Sequence, residues 1–96
     1  MHDLTAFQRD ILYVLSGSDD AYGLAIKQEL EDYYEGEVNH GRLYPNLDDL
    51  VEEGLIEKGQ LDRRTNSYNL TESGRSAIEK RRKWESKYVD ETLLPA

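Results

Sequence analysis

The 96-residue sequence predicts a small, mainly α domain with one β-hairpin, and three observations carry that expectation. Apolar residues recur at helical spacing in four stretches, starting near Leu4, Tyr22, Leu43 and Ala77. Between the third and fourth the pattern shortens into two strand-like runs around Asp62-Arg63-Arg64-Thr65-Asn66, a turn-rich loop of hairpin length. Polar caps and glycines fall at the joints: Thr5, Gly17, Gly36, Asn39, Gly54 and Thr71.

Helix one carries Leu4, Phe7, Ile11 and Val14/Leu15 on one stripe, and Thr5 with Gln8 three residues later forms a capping box. Gly17 ends it, and 16–20 is a turn. Helix two runs over 21–34, with Tyr22, Ile26, Leu30 and Tyr33/Tyr34 on its apolar stripe, and closes at Gly36. Helix three is capped by Asn39 and turns Leu43, Leu47 and Leu50/Val51 inward. Its Pro45 sits early enough to sacrifice one backbone bond at most, and Gly54 supplies the left-handed stop. Strands follow over 55–61 and 67–70. Thr71 caps a fourth helix running towards Tyr88 or beyond, and 91–96 is expected to fray. Three helices, a hairpin and a last helix, with a tight turn between helices two and three, make a winged helix-turn-helix with a C-terminal dimerisation helix. The expected division is 1–74 for the winged helix and 75–96 for dimerisation. A generic small α+β domain shares these elements but explains neither the turn nor the charge pattern.

A domain this small gains from oligomerisation, because it buries a modest fraction of its unfolded surface. There is no cysteine, so no disulfide framework and no thiolate metal site. His2 and His40 lack metal-ligand spacing with the carboxylates, and no catalytic triad or phosphate-loop pattern appears, so neither a cofactor nor an enzyme is expected. No run approaches a membrane span and none resembles a signal peptide, so a soluble cytoplasmic protein is expected. We read the sequon at Asn69-Leu70-Thr71 as chance.

Net charge −8 argues against nucleic acid, yet the charge is unevenly placed. Residues 1–37 hold nine acids and two bases, and 48–57 hold five acids and no base. Residues 38–47 carry only Arg42, and 58–71 set Lys58, Arg63 and Arg64 against Asp62. Acid therefore avoids the mouth of helix three and the hairpin tip. An acid-rich, lysine-poor surface is also what a salt-screened halophilic protein presents.

Tyr22-Gly23-Leu24, Leu43-Tyr44-Pro45 with Leu47, Leu50 and Gly54-Leu55-Ile56, and Tyr68-Asn69-Leu70-Thr71 with Gly74 together resemble the PadR family of winged-helix transcriptional regulators. The resemblance covers about residues 4–80, and the composition looks like that of a haloarchaeal member. It implies a homodimer on double-stranded operator DNA, usually a repressor, with helix three in the major groove and wings on the flanking backbone. The family often has Ser or Thr where this chain has Asn39-His40. The larger effector-binding domains of longer members are absent or reduced here, and an effector is left unspecified.

Recognition helices read base edges with their N-terminal residues. Arg42 has the group for guanine O6 and N7, and Asn39 or Asn46 for adenine. The bland alternatives are that Asn39 only caps and Arg42 only solvates. Gly41 lies in the same neutral mouth. His40 is a contact, a pH-sensitive group or neither, and Tyr44 touches phosphate or packs on helix two. Arg63, Arg64 and Thr65 at the hairpin tip fit backbone contact, and Tyr22 either presents its hydroxyl and N–H to a phosphate or joins the core. Leu4, Phe7 and Ile11 on helix one, with Ile78, Trp84 and Tyr88 on helix four, are the expected dimer face. Trp84 has a second reading as a ligand-stacking platform. Lys80-Arg81-Arg82-Lys83 spreads around its helix, as a solvated, salt-bridged face does. The competing class is a winged-helix protein-interaction module that binds no DNA.

Overall fold

The computed structural model describes residues 1–89. Its elements are α1 (Ala6–Ser16), β1 (Ala21–Tyr22), α2 (Gly23–Tyr34), α3 (His40–Glu52), β2 (Ile56–Gln60), β3 (Asn66–Leu70) and α4 (Glu72–Glu85). The expected caps are formed. Thr5 and Gln8 close the capping box of α1, Asn39 accepts from the Arg42 N–H, and Thr71 accepts from the Gly74 N–H. The Thr71 hydroxyl also donates to the Gly54 carbonyl at 2.6 Å, which ties the start of α4 to the end of α3. Gly54 takes the left-handed conformation, φ +77°.

Three boundaries differ from the sequence reading. Ala21 and Tyr22, expected to open helix two, form a short strand: Ala21 pairs with Tyr68 and Tyr22 with Ser67. The hairpin thereby becomes a three-stranded antiparallel sheet, ordered β1-β3-β2. The cause is a local clamp. Asp20 sits at φ 49°, donates its N–H to Asn69 Oδ1 at 2.8 Å, and accepts from Asn69 Nδ2 at 2.8 Å. Those bonds turn the chain onto the open edge of β3. The second helix closes on Glu35, φ 56°, rather than on Gly36, whose N–H returns to the Glu31 carbonyl. The fourth helix ends at Glu85 and continues as hydrogen-bonded turns to Val89. The tail expected to fray, 91–96, lies outside the described residues.

The core explains why α1 is so apolar. This helix packs against α2, α3, α4 and β3 together, so its stripe is wide because several neighbours cover it. Leu4, Phe7 and Ile11, read from sequence as part of a dimer face, are buried inside the protomer, as is Ile78 of α4. Each such side chain stabilises the fold by about 1.5–3 kcal/mol, and none is left to meet a second copy. Trp84 and Tyr88 remain exposed.

The turn between α2 and α3 is held at both ends. Glu35 supplies the left-handed bend, and Val38 is buried as its anchor. The Val38 N–H donates to Glu31 Oε2 at 2.9 Å, and Lys27 pairs with the same carboxylate at 3.1 Å. These contacts hold the Glu31 carboxyl below its ordinary range, the Val38 N–H contributing most. Among the described residues, no helix is long and apolar enough to cross a membrane.

Candidate nucleic-acid interface

Leu43, Leu47 and Leu50 fix how α3 sits, because all three are fully buried. At 100° per residue, three other sides follow. Arg42 and Asn46 face α1, His40 and Tyr44 face α2 and the sheet, and Gly41 and Pro45 form the outer edge. Further along that edge come Asp48, Asp49 and Glu52, all exposed.

On the α1 flank, the Arg42 guanidinium lies 4.0 Å over the Phe7 ring, and its N–H is capped by Asn39 Oδ1 at 2.8 Å. Asn46 donates to the Arg42 carbonyl at 2.7 Å and accepts from Gln8 Nε2 at 3.0 Å. Its amide thus makes one bond at each end within the protomer, which an adenine contact would have to share or replace. The cause lies in helix one: Gln8 Oε1 is occupied by the Thr5 N–H of the capping box, which leaves its Nε2 for Asn46.

The opposite flank is open. His40 stacks on Tyr44, centroids 5.5 Å apart and rings within 4° of parallel. The Tyr44 hydroxyl rests against Gly23, the first residue of α2, where a Cβ would overlap it. Thr5, Asn39 and Thr71 cap their helices with side chains, whereas Tyr22 gives α2 no side-chain cap. Here a cleft of about 340 Å³ is lined by Tyr22, Gly23, Leu24, Tyr44, Arg64, Thr65, Asn66 and Tyr68. Tyr68 is 1% exposed and lines the cleft from the sheet. Burial first, then Asp48 and Tyr44, push its pKa up, so it stays a protonated donor. Among the described residues, no carboxylate lines this cleft, in a chain of net charge −8. Uncapped helix N–H groups, tyrosine hydroxyls and a guanidinium suit a phosphate-like anion.

The wing tip is organised to present cations. Asp62 Oδ1 accepts the N–H groups of Arg64 and Thr65, each at 2.9 Å, and Leu61 donates to the Thr65 carbonyl at 2.9 Å. The Arg64 N–H chiefly holds the Asp62 carboxyl below its ordinary range. The one acid of the tip is thus turned onto its own backbone, and Arg63 and Arg64 stand exposed.

The structure therefore gathers Tyr22, Tyr44, Arg64 and Thr65 in one cleft, with His40 stacked beside it. It sets Arg42 and Asn46 on the other flank, and Arg63 is not among the cleft's lining residues. Sequence reasoning missed Gly23, Leu24, Asn66 and Tyr68 as parts of this site. A glycine opening a helix beside an aromatic residue was the available signal.

A second cleft, about 330 Å³, lies beside α4 and is lined by Met1, His2, Lys80, Arg81 and Trp84. The Arg81 guanidinium covers the Trp84 ring at 4.7 Å and pairs with Glu85 at 2.9 Å, while Tyr88 meets Trp84 edge-on. Among the described residues, no group of His, Cys, Asp and Glu could hold a metal ion.

Residues 11–80 match the model of the transcriptional regulator PadR-like family. The chain belongs to this family. It is similar to H. salinarum RosR, a haloarchaeal regulator: 62% identity over 92% of this chain and 80% of that one, TM-score 0.85. A structure of RosR in a complex matches at 60% identity, covering 90% and 76%, with the same TM-score. A winged-helix DNA-binding protein from STIV, 20% identical over 91% and 95%, shares the fold, TM-score 0.74. No curated protein matches the chain. This PadR-like protein is a winged-helix, DNA-binding transcriptional regulator, and its relatives are regulators rather than enzymes.

Proposed function

We propose that the chain binds a near-palindromic operator as a homodimer in the cytoplasm, with α3 in the major groove and the β2–β3 wing on the flanking backbone, and that it represses. The donor-lined cleft where α2, α3 and the wing meet carries this reading. A backbone phosphate seated between Gly23, Tyr44 and Arg64 brings the mouth of α3, Asn39 to Pro45, up to the base edges. Arg42 reaches the groove by leaving the Phe7 ring, and Arg63 meets the next phosphates. Trp84 at the end of α4 and Tyr88 in the turn after it join the two copies, which sets the recognition helices about one DNA turn apart, ~34–36 Å. On this reading residues 1–74 bind DNA and 75–96 dimerise.

The test is operator affinity, by fluorescence anisotropy in KCl, for the native chain, Tyr44→Phe and Arg64→Ala. Each variant removes one charge-assisted bond of roughly 1.5–3 kcal/mol, so affinity should fall about tenfold or more on every sequence. Native affinity in both variants would move the phosphate elsewhere. A native chain that binds no duplex at any salt would leave a protein-interaction module.

A further inference from the structure

Pro45 follows Gly41 by four residues in α3, and that spacing has a chemical result. A helical N–H bonds the carbonyl four residues back. Pro45 has no N–H, and its ring crowds that carbonyl outward, so the Gly41 carbonyl receives no bond from position 45. Both residues are exposed, opposite the buried Leu43, Leu47 and Leu50. A Cβ at Gly41 would meet only Asn39 Oδ1, at 3.4 Å, so the outer edge beside it is open. The nearby polar side chains are engaged to either side: Arg42 on Phe7, Asn46 on Gln8, His40 on Tyr44. The outer edge of the helix mouth therefore carries a main-chain acceptor without its helical donor.

We infer that the Gly41 carbonyl reads sequence by accepting a hydrogen bond from an exocyclic base amine in the major groove. The groove offers two such donors, adenine N6 and cytosine N4, whereas guanine and thymine present only acceptors and a methyl group. An acceptor fixed in the backbone favours A or C at one position and needs no rotamer ordering. The inference rests on α3 entering the groove and adds which atom reads there. It also gives Gly41 and Pro45 separate tasks: one keeps the edge bare, the other keeps the oxygen free.

The experiment combines one variant with a base-analogue scan. Pro45→Ala restores an N–H that closes onto the Gly41 carbonyl. In the operator, each adenine in turn becomes purine and each cytosine becomes pyrimidin-2-one, which deletes the amine alone. At one position the deletion should weaken native binding about 3- to 10-fold, as loss of one hydrogen bond does, and leave Pro45→Ala unaffected. Gly41→Ala, which sets a methyl on the open edge that the base must approach, should lose the same single preference, and it decides the matter if Pro45→Ala melts early. Sensitivity at several bases with no coupling to either variant overturns the inference while leaving α3 in the groove. A native chain insensitive to every deletion, with Arg64→Ala also silent, overturns the docking itself.

Discussion

Tyr44 rests its hydroxyl against Gly23 so closely that no Cβ fits between them. The pair joins the recognition helix to the uncapped end of α2 at the floor of the donor-lined cleft. What a Cβ would strike is the far end of a side chain, which can swing away. Gly23→Ala should therefore change stability by no more than about 1 kcal/mol while displacing the hydroxyl, and operator affinity should fall about tenfold. Chemical denaturation and anisotropy on one sample separate the two effects. Equal loss of folding and binding would make the contact merely structural.

Tyr34 donates to Asp10 Oδ2 at 2.5 Å, linking α2 to α1. Burial, and then that bond, push the phenol up to about 12. A raised folded pKa means the folded state holds its proton more tightly. The contribution is complete below the unfolded value, about 10, and is lost as pH rises towards 12. Tyr34→Phe should flatten the decline in denaturation midpoint between about pH 10 and 12. Tyr13 and Tyr68 shift the same way through burial, so part of the decline should persist. An unchanged slope in Tyr34→Phe would show that Tyr34 titrates alike in both states.

The fold was legible where residues act on near neighbours. The Thr5–Gln8 box, the Asn39 and Thr71 caps and the Gly54 stop are all decided within four residues, and each formed as read. β1 was illegible because two residues show no period, and the clamp that makes it spans Asp20 to Asn69. Helix one misled for a related reason. Its broad apolar stripe suggested a surface to share with a second copy, whereas four elements of the same chain cover it. Charge singled out the mouth of α3 and the wing tip, whose one acid is Asp62, but could not reveal Tyr68, which lines the cleft from the sheet.

With helix one's stripe internal, the proposed dimer is assigned to the end of α4 and the turn after it. Trp84 is 48% exposed and Tyr88 69%, large aromatic surfaces that, among the described residues, only Arg81 and each other partly cover. Trp84→Ala should leave the monomer fold intact, weaken association and lower affinity for a two-half-site operator more than for a single half-site. Sedimentation and anisotropy read these separately. A native chain that is monomeric at micromolar concentration, or a variant that associates normally, would leave Trp84 to a ligand.

Salt dependence is where the acidic total and the DNA interface must be reconciled. A regulator that neutralises phosphates releases about 0.9 cation for each, so its affinity falls steeply as salt rises. This interface offers few cations per protomer, Arg42, Lys58, Arg63 and Arg64, and the last two stand free because Asp62 bonds its own backbone. Asp48, Asp49, Glu52 and Glu53 are all exposed, and the first three continue the edge that begins at Gly41 and Pro45. On the proposed docking of α3, those carboxylates would approach phosphates and hold cations there, so binding would retain ions that an ordinary interface sheds. The slope of log K against log[KCl] should be shallower than about 0.9 per contacted phosphate, and specific binding should survive at molar KCl. Exchanging the four acids for Asn and Gln should steepen the slope and strengthen binding at low salt, while leaving every residue that lines the cleft in place. A KCl titration of both versions decides. If the native slope already equals full counterion release, or the exchange leaves it unchanged, the carboxylates serve solubility alone.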